Sequence, residues 1–205
     1  MKNTEIKDKI VSLLKLTERK GIDNLIEHME EAGFFNCPCS GSNHLAVEGG
    51  LAEHSYNVYR IMKDSYILIP DVLNAIGMNS KEIDNSVIIC SLLHDLGKMG
   101  DFGKPGYVPN MVKDGRPTKA EPEQKYKQSE SKPFEVNKDL SPVNHEVRSV
   151  KIASKYIELT EEEELAILWH NGLYGNFKYD INGKETPLYL LLHFADMWAS
   201  RVMEV

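Results

Sequence analysis

No stretch of the sequence approaches the length of a membrane span or of a signal-peptide apolar region, and charges are scattered through the opening MKNTEIKDKIVSLL. Cysteine is scarce: Cys37, Cys39 and Cys90 are too few and too unevenly spaced for a disulfide framework, and an odd number would strand one thiol outside a reducing compartment. A basic excess is also missing. The formal charge is -7 with a pI near 5.5, so no general electrostatic attraction to nucleic acid or a membrane surface exists, and an anionic partner must meet a local positive patch. No internal repeat is visible. These absences point to a cytoplasmic protein with no membrane partner. The 205 residues, 41% hydrophobic, suit one compact core, with or without a small appendage.

Most apolar residues recur at helical spacing. Ile6, Ile10, Leu13 and Leu14 form one stripe that stops at Gly21, and Ile22, Leu25, Ile26 and Met29 form a second that ends before Gly33. Residues 1–35 are therefore expected to be a helical hairpin packed on a core formed by 36–205. NCPCSGSNHLAVEGG reads as a loop leading to a helix at Gly50 with Leu51, His54, Val58 and Ile61 facing inward. From Ser80 to Gly97 the pattern turns apolar all round in VIICSLL, the mark of a helix at the centre of a bundle. Six of the nine prolines fall within residues 105–142, so about 100–141 should be an irregular insertion with at most short strands. Helical pattern returns up to Ile157. Thr160 and Glu163 form a capping box for the next helix, which ends at His170-Asn171-Gly172, and Thr186-Pro187 opens a last helix that carries Asp196. Asn182-Gly183 within FKYDINGKET suggests a small type I' hairpin. The expected class is all-α, a helical bundle with an irregular insertion and a small β-hairpin.

His54, the pair His94-Asp95, His145, His170 and Asp196 each lie on or at the end of an apolar helical segment, where an unpartnered imidazole or carboxylate would be costly to bury. At a helix C-terminus the last carbonyls favour cations, and the adjacent His94 and Asp95 leave the helix about 100 degrees apart, as 3.6 residues per turn imply. Both can reach one ion lying between them. A carboxylate has two oxygens, which makes Asp95 the natural shared ligand of a two-ion centre. Imidazoles with carboxylates suit borderline to hard divalent ions such as iron, manganese, cobalt, nickel or magnesium.

The order H…HD…H…H…D, with GGLAEHS around His54, SLLHDLGK around His94-Asp95 and LLHFADMWAS around Asp196, resembles the HD superfamily over roughly residues 44–200. It is most similar to the small stand-alone HD proteins of bacteria and their phages, and similar to the HD portion of a bacterial 3'-to-5' exoribonuclease. The resemblance implies an HD-type helical bundle in which His54, His94, Asp95 and Asp196 hold one metal. It implies that His145 and His170 add a second, at a place where relatives often carry a histidine pair and this chain has Asn171. It further implies a metal-dependent phosphohydrolase or phosphodiesterase in which a metal-activated water attacks a phosphoester of a nucleotide or nucleic acid; from their positions, Asp95 and Lys98 are the candidate catalytic residues. Alternatives are an HD-type di-iron oxygenase with the same ligands, or a non-catalytic nucleotide-binding module. A small phosphorylated substrate, a nucleotide above all, is the expected partner, with nucleic acid also compatible; the oligomeric state is unread.

Around this set, Lys98 either neutralises phosphoryl charge or complements the helix dipole, and Arg148 either binds phosphate or makes a surface ion pair. His44 is expected at the mouth of the pocket. Residues 98–138 hold nine Lys or Arg against six Asp or Glu, net +3 in a chain whose remainder is -10, which suits a substrate lid or a solvated loop. Tyr107 and Tyr126 either stack on a base or pack. Cys37, Cys39 and His44 lack the fourth ligand and the spacing of a structural zinc site. His193 either supports the ligands by a hydrogen bond or fills the core, Glu53 either orients water or complements its helix dipole, and His28 reads as surface.

Overall fold

A computed structural model describes residues 3–68, 79–117, 119 and 122–204, and the side chains of 66–68 lie outside the description. Eight α-helices and three short antiparallel strand pairs make up the regular structure among the described residues. Helices α1 (Asn3–Leu16) and α2 (Ile22–Glu31) form the N-terminal hairpin, and Ile6, Ile10, Leu14, Leu25 and Met29 bury their side chains in the same core as the later helices. A buried polar knot ties the hairpin in. Glu163 accepts from Arg19 Nη2 at 2.6 Å and from Ser86 Oγ at 2.7 Å, while its other oxygen completes the capping box with Thr160 N.

Helix α3 (Gly50–Leu68) turns Leu51, His54, Ser55, Val58 and Met62 inward. It packs along α4 (Ser80–Leu93), which opens with an Asn79–Glu82 capping box and buries every residue from Ser86 to Leu93. An element apolar on all sides must lie at the centre, as α4 does. Its C-cap is His94, and Leu96–Met99 continue as a 3₁₀ turn. Helix α5 (His145–Tyr156) lies across that turn so closely that a Cβ on Gly97 would come within 2.2 Å of the His145 carbonyl. Gly97 N also donates to Ser149 Oγ at 2.8 Å. Only glycine permits this approach, and the approach brings His145 beside His94-Asp95.

Helix α6 (Glu161–Trp169) ends on His170 as its C-cap, a one-turn helix α7 (Lys178–Ile181) follows, and α8 (Pro187–Trp198) carries Asp196 before a π-helical turn, Ala199–Met203. The expected hairpin around Asn182-Gly183 is replaced by α7 and a turn. Asn182 has φ -52 and ψ 118 and Gly183 has φ 75, the angles of a type II turn, whereas type I' needs positive φ at both. Helical spacing wins because Phe177 and Ile181, four apart, both pack on the core.

The strands lie instead in the insertion. β1 (Gly100–Asp101) pairs with β2 (Lys104–Pro105), and a nested arm pairs β3 (Tyr107–Pro109) with β6 (Phe134–Val136) and β4 (Met111–Asp114) with β5 (Lys125–Gln128). No helix among the described residues is long and apolar enough to cross a membrane.

Candidate metal centre

Five helices deliver the candidate ligands to a single point. His54 comes from the buried face of α3, His94 and Asp95 from the end of α4, His145 from the start of α5, His170 from the end of α6 and Asp196 from the last turn of α8. The Nε2 atoms of His54 and His94 are 3.3 Å apart, and those of His145 and His170 are also 3.3 Å apart. Between them sits the Asp95 carboxylate. Its Oδ2 faces His54 Nε2 at 3.6 Å and His94 Nε2 at 3.5 Å, while its Oδ1 faces His145 Nε2 at 3.1 Å and His170 Nε2 at 3.5 Å. Asp196 Oδ1 closes the first group at 3.1 Å from His54 Nε2.

The far side of each ring explains the near side. His94 Nδ1 donates to the Ser91 carbonyl at 2.9 Å, His170 Nδ1 to the Ile167 carbonyl at 2.7 Å, and His54 Nδ1 to Glu204 Oε2 at 2.9 Å. His145 Nδ1 faces Glu146 Oε2 at 3.1 Å. With Nδ1 turned to an acceptor in every ring, the neutral tautomer carries its lone pair on Nε2, so four lone pairs and two carboxylates point into one space. Asp95 Oδ1, although buried, accepts no hydrogen bond. A concentration of acceptors of this kind favours positive charge among them. These residues can therefore hold a metal ion, and two convergent groups meet the spacing required: His54, His94 and Asp196, and His94, Asp95 and His170.

Electrostatics agree with the geometry. Burial alone would raise the Asp95 carboxyl, yet the Lys98 ammonium, 2.6 Å from Oδ2, and then the His94 ring hold it well below the usual carboxylate range. The same contact lifts Lys98 well above the ordinary lysine value despite its burial. Burial lowers His94, which favours the neutral, ligating ring. His54 moves the other way: burial opposes its charge, but the Cys39 sulfur and the Asp196 and Glu204 carboxylates raise it well above the usual imidazole value. Cys39 is itself raised by burial and remains a thiol at neutral pH, so the two carboxylates carry that effect.

The other expected residues fall in distinct places. Lys98 and His44 line a chamber of about 710 Å³ with His170, Asp196 and Glu204, and the His44 ring lies 5.0 Å from that of His54. Arg148 is not free for a surface pair or a ligand fork as the sequence suggested: it is buried, and its guanidinium donates to the carbonyls of Ser141 at 2.7 Å and Gly97 at 3.5 Å, tethering α5 to the 3₁₀ turn. His193 supports the site from behind, donating from Nδ1 to the His170 carbonyl at 2.7 Å. Its ring fills the space over Gly172, where φ is +55 and a Cβ would come within 2.5 Å of it. Cys39 Sγ and His44 Nε2 are 3.3 Å apart and converge with His54, whereas Cys37 Sγ turns to the Lys98 carbonyl and burial pushes its thiol up to about 12. Glu53 lines neither this chamber nor the one beside His145, and His28 stacks on Tyr156. Asn171 Nδ2 lies 3.2 Å from His170 Nε2 and 3.3 Å from His145 Nε2, and a half-turn of the amide would present Oδ1 there instead.

Two carboxylates escaped the sequence reading. Glu146 adjoins His145 and passes for a first-turn acid of α5. Glu204 has no spacing relation to His54 at all. The π-helical turn, one residue wider than an α-turn, swings it back so that it receives both His54 and Asn57 Nδ2, the latter at 3.0 Å. Carboxylates behind metal-binding imidazoles fix the tautomer and raise ligand basicity. Glu204→Gln is expected to weaken metal affinity roughly 10-fold and Glu204→Ala up to ~100-fold. A competition titration against a metal indicator dye reads this, and unchanged affinity in both variants would remove Glu204 from the site.

No family model matches the chain, and neither the curated proteins nor the solved structures contain a match to it.

Proposed function

We propose that the chain is a metal-dependent phosphohydrolase of the HD type, with one ion held by His54, His94, Asp95 and Asp196 and a second by Asp95, His145 and His170. The observation that carries this reading is the convergence of four imidazole Nε2 atoms on a buried carboxylate whose Oδ1 accepts no hydrogen bond. The ligand order resembles that of the HD superfamily, and the donor set of imidazoles and carboxylates suits iron, manganese, cobalt, nickel or magnesium. Such ions, when bound, polarise a phosphoryl oxygen and make water a nucleophile at neutral pH.

The chain's own groups fit phosphoester chemistry. Lys98 is a fixed positive charge: its ammonium is held on Asp95 at 2.6 Å and opens onto the chamber beside Asp196, where it would offset charge building on a phosphoryl group. Asp95 keeps Lys98 in that position. Glu204, Ser91 and Ile167 hold the imidazoles in one tautomer, so they need no reorganisation when a substrate arrives. A chamber of about 710 Å³ has room for a nucleotide-sized substrate.

The test is hydrolysis of bis(p-nitrophenyl) phosphate and a set of nucleotides by protein supplied with manganese, beside Asp95→Ala. Metal-dependent phosphoester cleavage that the substitution abolishes is the expected result. Oxygen-dependent turnover without phosphoester cleavage, or hydrolysis unchanged in Asp95→Ala, would contradict the reading.

A further inference from the structure

Lys98 and His145 also line a second chamber, of about 660 Å³, walled on its far side by the strand arm of the insertion. The first chamber sets Lys98 and Arg201 against the acids Asp196 and Glu204, whereas the second sets Lys98, Lys132, Lys138 and Arg148 against a single carboxylate, Glu135. This basic wall belongs to a chain of net charge -7. We propose that the second chamber is an anion subsite of the same active site, taking a second phosphate one nucleotide unit away from the scissile phosphoester of a dinucleotide-type substrate. The proposal rests on the phosphohydrolase reading.

Three observations carry it. First, the chamber adjoins the ligand cluster, since His145 lines it and turns Nε2 to Asp95 Oδ1 at 3.1 Å, and Lys98 lines both chambers. A substrate at the cluster can thus extend past Lys98. Second, Arg148 is 7% exposed and its guanidinium meets only main-chain carbonyls; among the described residues no carboxylate lies within ion-pair distance of it. The acid that acts on it, Asp101, lies beyond ion-pair distance and is itself paired with Lys151 at 2.6 Å, so the immobilised guanidinium still favours an anion in the cavity beside it. Third, Lys132 has no carboxylate partner among the described residues, and Lys138 meets Glu135 only at 3.8 Å in an exposed pair, so neither charge is cancelled. Both lie within residues 98–138, the segment that is net +3 while the remainder is -10.

The two lysines are exposed, so replacing them should leave the fold intact. The experiment compares pApA with ApA, which share the internucleotide diester and differ in the 5' phosphate, in wild-type protein and in Lys132→Ala/Lys138→Ala, with bis(p-nitrophenyl) phosphate as a substrate too small to reach the arm. Wild-type protein should show a KM for pApA about 10-fold below that for ApA. In the double variant this preference should vanish through KM with kcat unchanged, and bis(p-nitrophenyl) phosphate should be cleaved as before. Fluorescence anisotropy with a labelled, phosphorothioate-linked pApA reads the same loss as a Kd without turnover. Equal KM or Kd for the two dinucleotides, or a variant that loses all substrates alike, would overturn the subsite. Absence of any metal-dependent cleavage would instead overturn the hydrolase reading, and the anisotropy comparison would still decide whether the chamber holds the second phosphate.

Discussion

Asp95→Asn is expected to abolish tight metal binding and to cost the fold several kcal/mol at the same time. The carboxylate is shared between the two imidazole pairs, with one oxygen facing His54 and His94 and the other facing His145 and His170. A neutral amide cannot bridge two cations, so both proposed ions should go, and hydrolysis should fall on the order of 10³-fold, the equivalent of several kcal/mol of lost transition-state stabilisation. The stability effect has another source. Lys98, half-buried, holds the buried Asp95 carboxylate at 2.6 Å, and removing one member of a buried pair costs at most roughly 3–5 kcal/mol because the other charge stays behind unpaired. Asp95→Asn/Lys98→Met separates the two effects. The double variant should regain most of the stability, read by urea denaturation, and none of the metal, read by elemental analysis. A single variant as stable as wild type would mean that Lys98 does not depend on Asp95.

Metal removal is expected to lower the melting temperature by roughly 8–16 °C when the comparison is made at an ion concentration about 1,000 times Kd. Binding to the folded state alone contributes about 4 kcal/mol at that ratio. For a domain of 150–250 residues each kcal/mol moves Tm by ~2–4 °C. The physical origin is the cluster of acceptors on Asp95, Asp196 and four Nε2 atoms, which repel one another unless positive charge lies among them. Protons supply part of that charge in its absence, as the raised His54 and His170 indicate: burial opposes both charges, but carboxylates, Asp196 and Glu204 at His54 and Asp95 at His170, outweigh it. Differential scanning calorimetry in chelator and in excess manganese checks the shift. Coincident melting curves would show that nothing in the fold selects for metal.

Much of the helical framework was legible because local chemistry decides it. The capping box of Thr160 and Glu163, the Thr186-Pro187 start of α8 and the all-round apolar stretch before His94 each state a boundary or a depth in a few residues. Candidate ligands stood out for the same reason, as polar groups in apolar helical company, and the fold brings His54, His94, Asp95, His145, His170 and Asp196 to one place. What stayed hidden depends on tertiary contact. Glu204 reaches His54 across 150 positions through a π-helical turn that no local pattern announces. Arg148 had the chemistry of a phosphate ligand, but its guanidinium donates to the carbonyls of Ser141 and of Gly97, the latter 51 residues away. At Asn182-Gly183 the hairpin dipeptide lost to the burial of Phe177 and Ile181, which enforces a helical turn. The strand pairs of the insertion join segments that are mostly exposed and carry no apolar alternation, so their register follows from the chain reversal and not from side-chain pattern.

Anomalous scattering from crystals of the protein soaked in manganese, recorded for wild type and for Asp95→Asn, tests the central claim most directly. Anomalous peaks are expected between Asp95 and the two imidazole pairs in the wild type, and none at those positions in the variant. Wild-type crystals whose only manganese peaks lie on the surface, with the six candidate ligands free of it, would mean that these residues do not form a metal centre.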